Sequence, residues 1–268
     1  MIHFAINIFY QNARGLRTKV NLFKRNVALN CFDIISITET WLLDGIADSE
    51  LFDERYLVWR RDRDYQSTGQ RLGGGVLLAV RRELAAAGQP AWHSSAEDVW
   101  VTVSFRTGGG LLTLHLCTVY LCNQKGGNSM NTQLNNFTSK LGDCFLSAPT
   151  DLFMVLGDFN MPNITWNPQD NGLLEPQGTL NECQVSFLDT IVECNLDQYN
   201  NVLNIHDRLL DLVFCNKHVI VQPSDHPLVP DDSHHRSICI ELTLDIPSFF
   251  VNKPALSPFG TTVVRLRA

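Results

Sequence analysis

LFMVLGDFN, residues 152–160, decides the reading of the chain: five apolar residues suited to a strand buried on both faces, then a glycine, then an aspartate and an asparagine around a phenylalanine. A carboxylate at the end of an apolar strand is costly unless a cation, a partner or water satisfies it. Three other runs carry polar residues in the same way: FYQNARGL holds Asn12, DIISITETWL holds Glu39 and RLLDLVFCN holds Asp211. Any one alone is more often a turn residue, a cap or an edge position. Together, on separate strands and at strand termini, they read as a convergent site on a rigid sheet scaffold.

Working outward, strand-like runs cover 4–10, 33–38, 75–80, 99–105, 111–121, 152–156, 210–215 and 237–244. Helical patterns cover about 18–30, 130–147 with Leu134, Phe137, Leu141 and Phe145 on one face, and 181–194 with Val185, Leu188, Ile191 and Val192. Helices placed between groups of strands suggest sheets packed together with helices outside them. Residues 126–128 and 160–178, the second rich in Asn, Pro and Gly, read as loops. The pattern fades after Leu244, so the expected division is a domain over 1–245 and a tail or linker over 246–268.

With 268 residues, 44% of them hydrophobic and 18% charged, the chain can bury the core of one large α/β domain. No apolar run approaches the roughly 20 residues of a bilayer helix, and the alternating MIHFAINIF start lacks the marks of a secretory signal, so no membrane partner is expected. Eight cysteines without a CxxC pair, several inside apolar runs (Cys117, Cys122, Cys215, Cys239), suit reduced thiols and an intracellular protein better than a disulfide frame or a zinc site.

Taken in order, NARGL (12–16), ITET (37–40), VYLCN (119–123), GDFN (157–160), LLDLVF (209–214) and SHHRSI (233–238) resemble the exonuclease, endonuclease and phosphatase superfamily. They are most similar to the apurinic-endonuclease-like domains of non-LTR retrotransposon proteins. N-x-x-G-L-x-x-K at 12–19, ITETWL and RLGGGV at 71–76 favour that retroelement branch. The resemblance covers about residues 5–244 and implies an α/β fold, a four-layered αββα sandwich of two packed, mainly antiparallel sheets flanked by helices. It also implies that Glu39, supported by Asn12, holds Mg2+ or Mn2+, a hard ion that prefers oxygen ligands. Asp158 corresponds to the aspartate that orients or deprotonates water, and Asn160, two residues on, would share its face and bond the phosphate. Tyr120 and Asn123 match residues that contact the phosphate and the neighbourhood of Asp158. Arg14, Lys19, Arg71 and Asn123 are the DNA contacts expected.

Two histidines compete for the partner of Asp211. Ser224-Asp225-His226 spells the family's signature, while Ser233-His234-His235 has His where Asp is expected. His235 is the better choice, because SICIELTL follows it as the last core strand, whereas Pro227 and Pro230 break pairing after His226. Asp211 would reach His235 from a neighbouring strand, with HVIVQ as another strand between them. The second acidic residue of the family is then either absent or supplied by Asp232. An Asp-paired imidazolium would stabilise the transition state.

The implied activity is nicking of one strand of double-stranded DNA to leave a 3′-hydroxyl that a reverse transcriptase in the same longer polyprotein extends, an event in the nucleus. The alternatives are abasic-site repair, hydrolysis of other phosphodiesters by the same core, and a catalytically inactive binding module. A net charge of −7 is unfavourable for phosphate binding, but residues 1–82 hold 12 Lys and Arg against 9 Asp and Glu, which is +3 and leaves −10 for the rest. Arg14, Arg17, Lys19, Lys24, Arg25, Arg60, Arg61 and Arg63 would form either a basic rim or an ordinary solvated surface. Trp41 and Trp166 suit packing or loop anchoring better than base stacking.

Overall fold

Two six-stranded mixed sheets lie face to face in the computed structural model, which describes residues 2–70, 72–107, 110–122, 129–169, 172–246, 252–256 and 262–265. The first sheet is built from β1 (Ile2–Asn12), β2 (Ile34–Thr38), β3 (Tyr56–Arg61), β4 (Val76–Arg81), β13 (Ile220–Pro223) and β14 (Ile238–Ile246), in the order β13-β14-β1-β2-β4-β3. The second contains β5 (Ala85–Gly88), β6 (Glu97–Thr107), β7 (Gly110–Tyr120), β8 (Leu152–Asp158), β11 (Asp197–Gln198) and β12 (Asp211–Cys215), in the order β11-β12-β8-β7-β6-β5. Each sheet has one parallel pair at its centre, β1 with β2 and β7 with β8, and is otherwise antiparallel.

Alternation explains the layering. In β1, Ile6, Ile8 and Tyr10 face the second sheet, and in β8 Met154 and Leu156 face the first, while Phe9, Phe153 and Val155 face outward. The outward residues are covered by helices, so the strands are apolar on both sides. Helix α1 (Val20–Leu29) buries Phe23 and Val27 on the first sheet beside the short helix α2 (Asp48–Leu51). The one-turn helix α3 (Tyr65–Thr68) follows β3. On the second sheet lie α4 (Met130–Ser147), capped by Ser129, and α5 (Glu182–Glu193), whose Asn181 and Gln184 form a capping box. Leu134, Phe137 and Leu141 of α4 and Phe187 and Ile191 of α5 supply their buried stripes. The four-layered sandwich that the sequence implied is therefore the observed fold.

One expectation changes. The segment 160–178 is not a plain loop, because β9 (Ile164–Pro168) and β10 (Leu174–Gly178) pair in it as an antiparallel hairpin. Trp166 packs edge-on against Phe214, which anchors that hairpin to the core. After Leu244, β14 runs on to Ile246, and β15 (Asn252–Leu256) pairs with β16 (Thr262–Arg265). All eight cysteines are free. Among the described residues no helix is long and apolar enough to cross a membrane.

Gly157, just before Asp158, is a point of close approach between β7 and β8. A Cβ there would collide with the backbone carbonyl of Val119 on β7, and its φ of +156° lies at the margin of what side chains tolerate. Gly157→Ala is expected to lower stability by about 3 kcal/mol, read as a lower urea midpoint, because backbone rather than a flexible side chain must yield. An unchanged midpoint would show that β7 and β8 are not held at this spacing.

Candidate active site at the polar end of the sandwich

Register assembles the site. Across the second sheet, Glu97 is level with Tyr120, Tyr120 with Asp158, and Asp158 with Asp211, so one row crosses four strands. The opposing end of the first sheet presents Tyr10, Asn12 and Thr38, with Asn12 level with Thr38. The interlayer is thus apolar along most of its length and polar at one end. A buried hydrogen bond of 2.7 Å between the hydroxyls of Ser36 and Thr118 joins the sheets beneath the site.

Three buried groups meet there: Asp158, Asp211 and His235 bring ligand atoms within 4.8 Å of one another. His235 Nδ1 lies 2.8 Å from Asp211 Oδ2, and its Nε2 lies 3.7 Å from Asp158 Oδ2. His226 is exposed, so the histidine that meets Asp211 is His235. The two arrive from facing sheets rather than from neighbouring strands, because β12 belongs to the second sheet and β14, which follows His235, to the first. Tyr10 completes this group, donating its phenol proton to Asp211 Oδ1 at 2.6 Å and lying 2.9 Å from the Thr38 hydroxyl. Sequence reasoning missed Tyr10, although it shares the inward face with Asn12 two residues on and a buried phenol needs a partner.

Asn12 bridges the sheets, its Nδ2 donating to Asp158 Oδ2 at 2.9 Å and its Oδ1 accepting from the Arg14 amide at 3.2 Å. Asn160 reaches Asp158 differently from the expected strand alternation. It lies past the end of β8 with φ of +48°, so its backbone N–H donates to Asp158 Oδ1 at 3.0 Å while its Nδ2 donates to the Leu121 carbonyl at 2.7 Å. Glu39 follows β2 with φ of +51° and is held on both oxygens, by Tyr120 Oη at 2.7 Å and by Trp41 Nε1 at 2.9 Å. Tyr120 therefore meets Glu39, and Trp41 is a second contact that sequence reasoning had left to packing.

The expected DNA contacts divide. Arg14 sits at the rim, 3.2 Å from Asp232 Oδ1, and Lys19 donates to the Ala13 carbonyl at 2.8 Å close by. Arg71 and Asn123 lie outside the described residues. Of the two readings left open for the basic residues, a rim is not favoured for RRDRD, which is largely paired with acids: Arg60 with Asp48 and Asp62, Arg61 with Asp98, and Arg63 with Glu97.

Electrostatics follow from crowding. Burial and then the neighbouring Asp211 charge hold the Asp158 carboxyl well above the usual carboxylate range. Burial works against a charge on His235, but the carboxylates of Asp211, Asp158 and Glu39 outweigh it and raise the imidazole to about 9. Burial, with Asp211 and Asp158 nearby, keeps Tyr10 protonated. Because the His235 value in the folded chain lies above the unfolded one, its contribution to stability is complete below the unfolded value and fades as pH rises through about 9. With divalent ions chelated, the excess urea midpoint of wild type over His235→Gln should shrink from about pH 6 to about pH 10. A difference that stays flat or grows would refute a charged His235.

Comparison with known proteins agrees with this fold. A family described as endonuclease-reverse transcriptase matches residues 114–239. The solved endonuclease domain of TRAS1, a telomere-specific non-LTR retrotransposon, is 13% identical with a TM-score of 0.57, over 89% of this chain and 98% of that one. An AP endonuclease from Leishmania major is 12% identical with a TM-score of 0.61, over 90% and 88%, and one from Archaeoglobus fulgidus is 12% identical with a TM-score of 0.54, over 88% and 98%. No curated protein matches the sequence. The chain has the fold of the endonuclease/exonuclease/phosphatase superfamily of hydrolases, and its resemblance to the endonuclease domains of non-LTR retrotransposons rests on both the matched family and the TRAS1 domain.

Proposed function

We propose that the protein is a metal-dependent DNA endonuclease that nicks one strand of double-stranded DNA and leaves a 3′-hydroxyl, priming reverse transcription by another region of a longer polyprotein in the nucleus. The observation that carries this reading is the Asp211–His235 pair beside Asp158 at the polar end of the sandwich, with Glu39 held next to it. The match to an endonuclease-reverse transcriptase family favours the retroelement role.

A divalent cation fits the donor set. Glu39, Asp158 and Asp211 gather around one imidazole, an excess of negative charge that a cation relieves, and the available donors are oxygens suited to Mg2+ or Mn2+. Each Glu39 oxygen accepts one of the protein hydrogen bonds described, which leaves lone pairs for an ion, and Asn12 Oδ1 would be the second ligand. When bound, the ion polarises a phosphoryl oxygen.

The chain's own residues do the rest. Asp158, raised by burial, is a stronger base than an exposed carboxylate and takes the proton of the attacking water, while Asn12 and the Asn160 amide fix its orientation. His235 carries its proton on Nδ1 toward Asp211 and presents Nε2–H to the charge that develops on the phosphate. Tyr10 and Asp211 keep that ring from turning. Asn160 and the rim residues Arg14 and Lys19 meet the DNA backbone.

Supercoiled plasmid with Mg2+ tests the reading. Wild type is expected to produce nicked circles, Asp158→Ala and His235→Ala to lose about 100-fold or more in rate, and His226→Ala to retain it. Cleavage confined to an abasic oligonucleotide would favour the repair alternative, and no cleavage of plasmid, abasic DNA or RNA would leave a binding module.

A further inference from the structure

RLGGGV and RRDRD stand outside the mechanism so far, and the fold brings them together. Arg63 is buried, with its Nε 2.5 Å from Glu97 Oε1, its Nη1 2.9 Å from Gln70 Oε1 and its Nη2 2.9 Å from Cys122 Sγ. Gly73, Gly74 and Gly75 adopt φ of +93°, +75° and +85°, and a Cβ at Gly73 or Gly74 would strike the guanidinium. The glycines therefore make room for this arginine as well as supplying a turn.

From Arg63 two paths lead to one carboxylate. Along the first, Glu97 Oε2 accepts the Gly75 N–H at 2.6 Å, and the carbonyls of Gly74 and Gly75 accept the amides of Trp41 at 2.9 Å and Thr40 at 3.1 Å. That pins the two residues after Glu39 and aims the Trp41 indole at Glu39 Oε2. Along the second, the guanidinium lies 5.7 Å from the centre of the Tyr120 ring, whose hydroxyl donates to Glu39 Oε1. We propose that Arg63 is a positioning residue for Glu39, fixing from two sides the carboxylate that, on the functional reading above, binds the metal. A buried ion pair is by itself weak evidence of a stabilising role. The convergence of both paths on Glu39 is what assigns Arg63 to the site. Lysine cannot replace it, since a single ammonium lacks the fixed fork of donors with which the guanidinium reaches Glu97, Gln70 and Cys122 at once.

The test titrates Mn2+ into each purified protein and follows loss of the free-ion paramagnetic resonance signal, alongside the Mg2+ dependence and the KM for plasmid in nicking. Arg63→Lys is expected to bind Mn2+ about tenfold more weakly and to need about tenfold more Mg2+ for half-maximal rate, with an unchanged KM for DNA. If it fails to fold, Arg63→Met/Glu97→Gln removes both charges while keeping an acceptor for Gly75, and is expected to show the same weakening. Arg55→Met, which breaks the Asp53–Arg55 pair beside Tyr56, serves as the comparison: it is expected to keep wild-type Mn2+ affinity whatever it costs in stability. Wild-type affinity in both Arg63 variants, or equal weakening in Arg55→Met, overturns the proposal while the nuclease reading stands. A wild type that neither binds Mn2+ nor nicks overturns that reading, and this proposal with it.

Discussion

Asp158 and Asp211 face each other on adjacent strands inside the protein, and two carboxylates so placed must be neutralised or bonded. Both sheets answer that constraint. His235, Tyr10 and Asn12, all from the first sheet or its approaches, reach across to the two acids of the second. The same bonds that satisfy the acids therefore clamp the open end of the sandwich, and the apolar interlayer closes the remainder. Loss of one partner would leave a charge buried and unpaired, so packing and chemistry at this end cannot be varied separately.

The site also concentrates unusual backbone. Four of the six described non-glycine residues with positive φ, Arg14, Glu39, Trp41 and Asn160, cluster around it. Each follows the end of a strand directed into the site, and the left-handed turn redirects the chain so that a side chain or amide faces inward. Such residues are held in place by their neighbours: Gly15 lies so close beneath the Trp41 indole that a Cβ would not fit, and Thr40 is bonded through Gly75.

Strand alternation made much of this legible. Apolar runs with polar termini located Asn12, Glu39, Asp158 and Asp211, and proline placement separated His235 from His226. Features that depend on what lies opposite a residue were not legible. Tyr10 looks like core until Asp211 appears across the interlayer, and Trp41 looks like packing until its N–H is seen on Glu39. RRDRD left a basic rim and a solvated surface both open because its acidic partners, Asp48 and Asp98 among them, are distant or unremarkable in sequence. The hairpin of β9 and β10 was hidden by Asn, Pro and Gly, which favour turns while an exposed two-stranded ribbon tolerates them. Asn160 was placed by a period of two that no longer applies beyond Asp158, where the chain has left the strand.

The pairing of β1 with β14 has a consequence for the order of events in the cell. The first strand of the sheet finds its long antiparallel neighbour among residues 238–246, and His235 arrives only just before it. A ribosome must therefore have made nearly the whole of residues 1–246 before the histidine can meet Asp211, since contacts so distant in sequence wait for both partners. Nascent chains that end before residue 235 lack the imidazole altogether, so the cluster of Asp158, Asp211 and His235 comes together in one late step in the synthesis of residues 1–246.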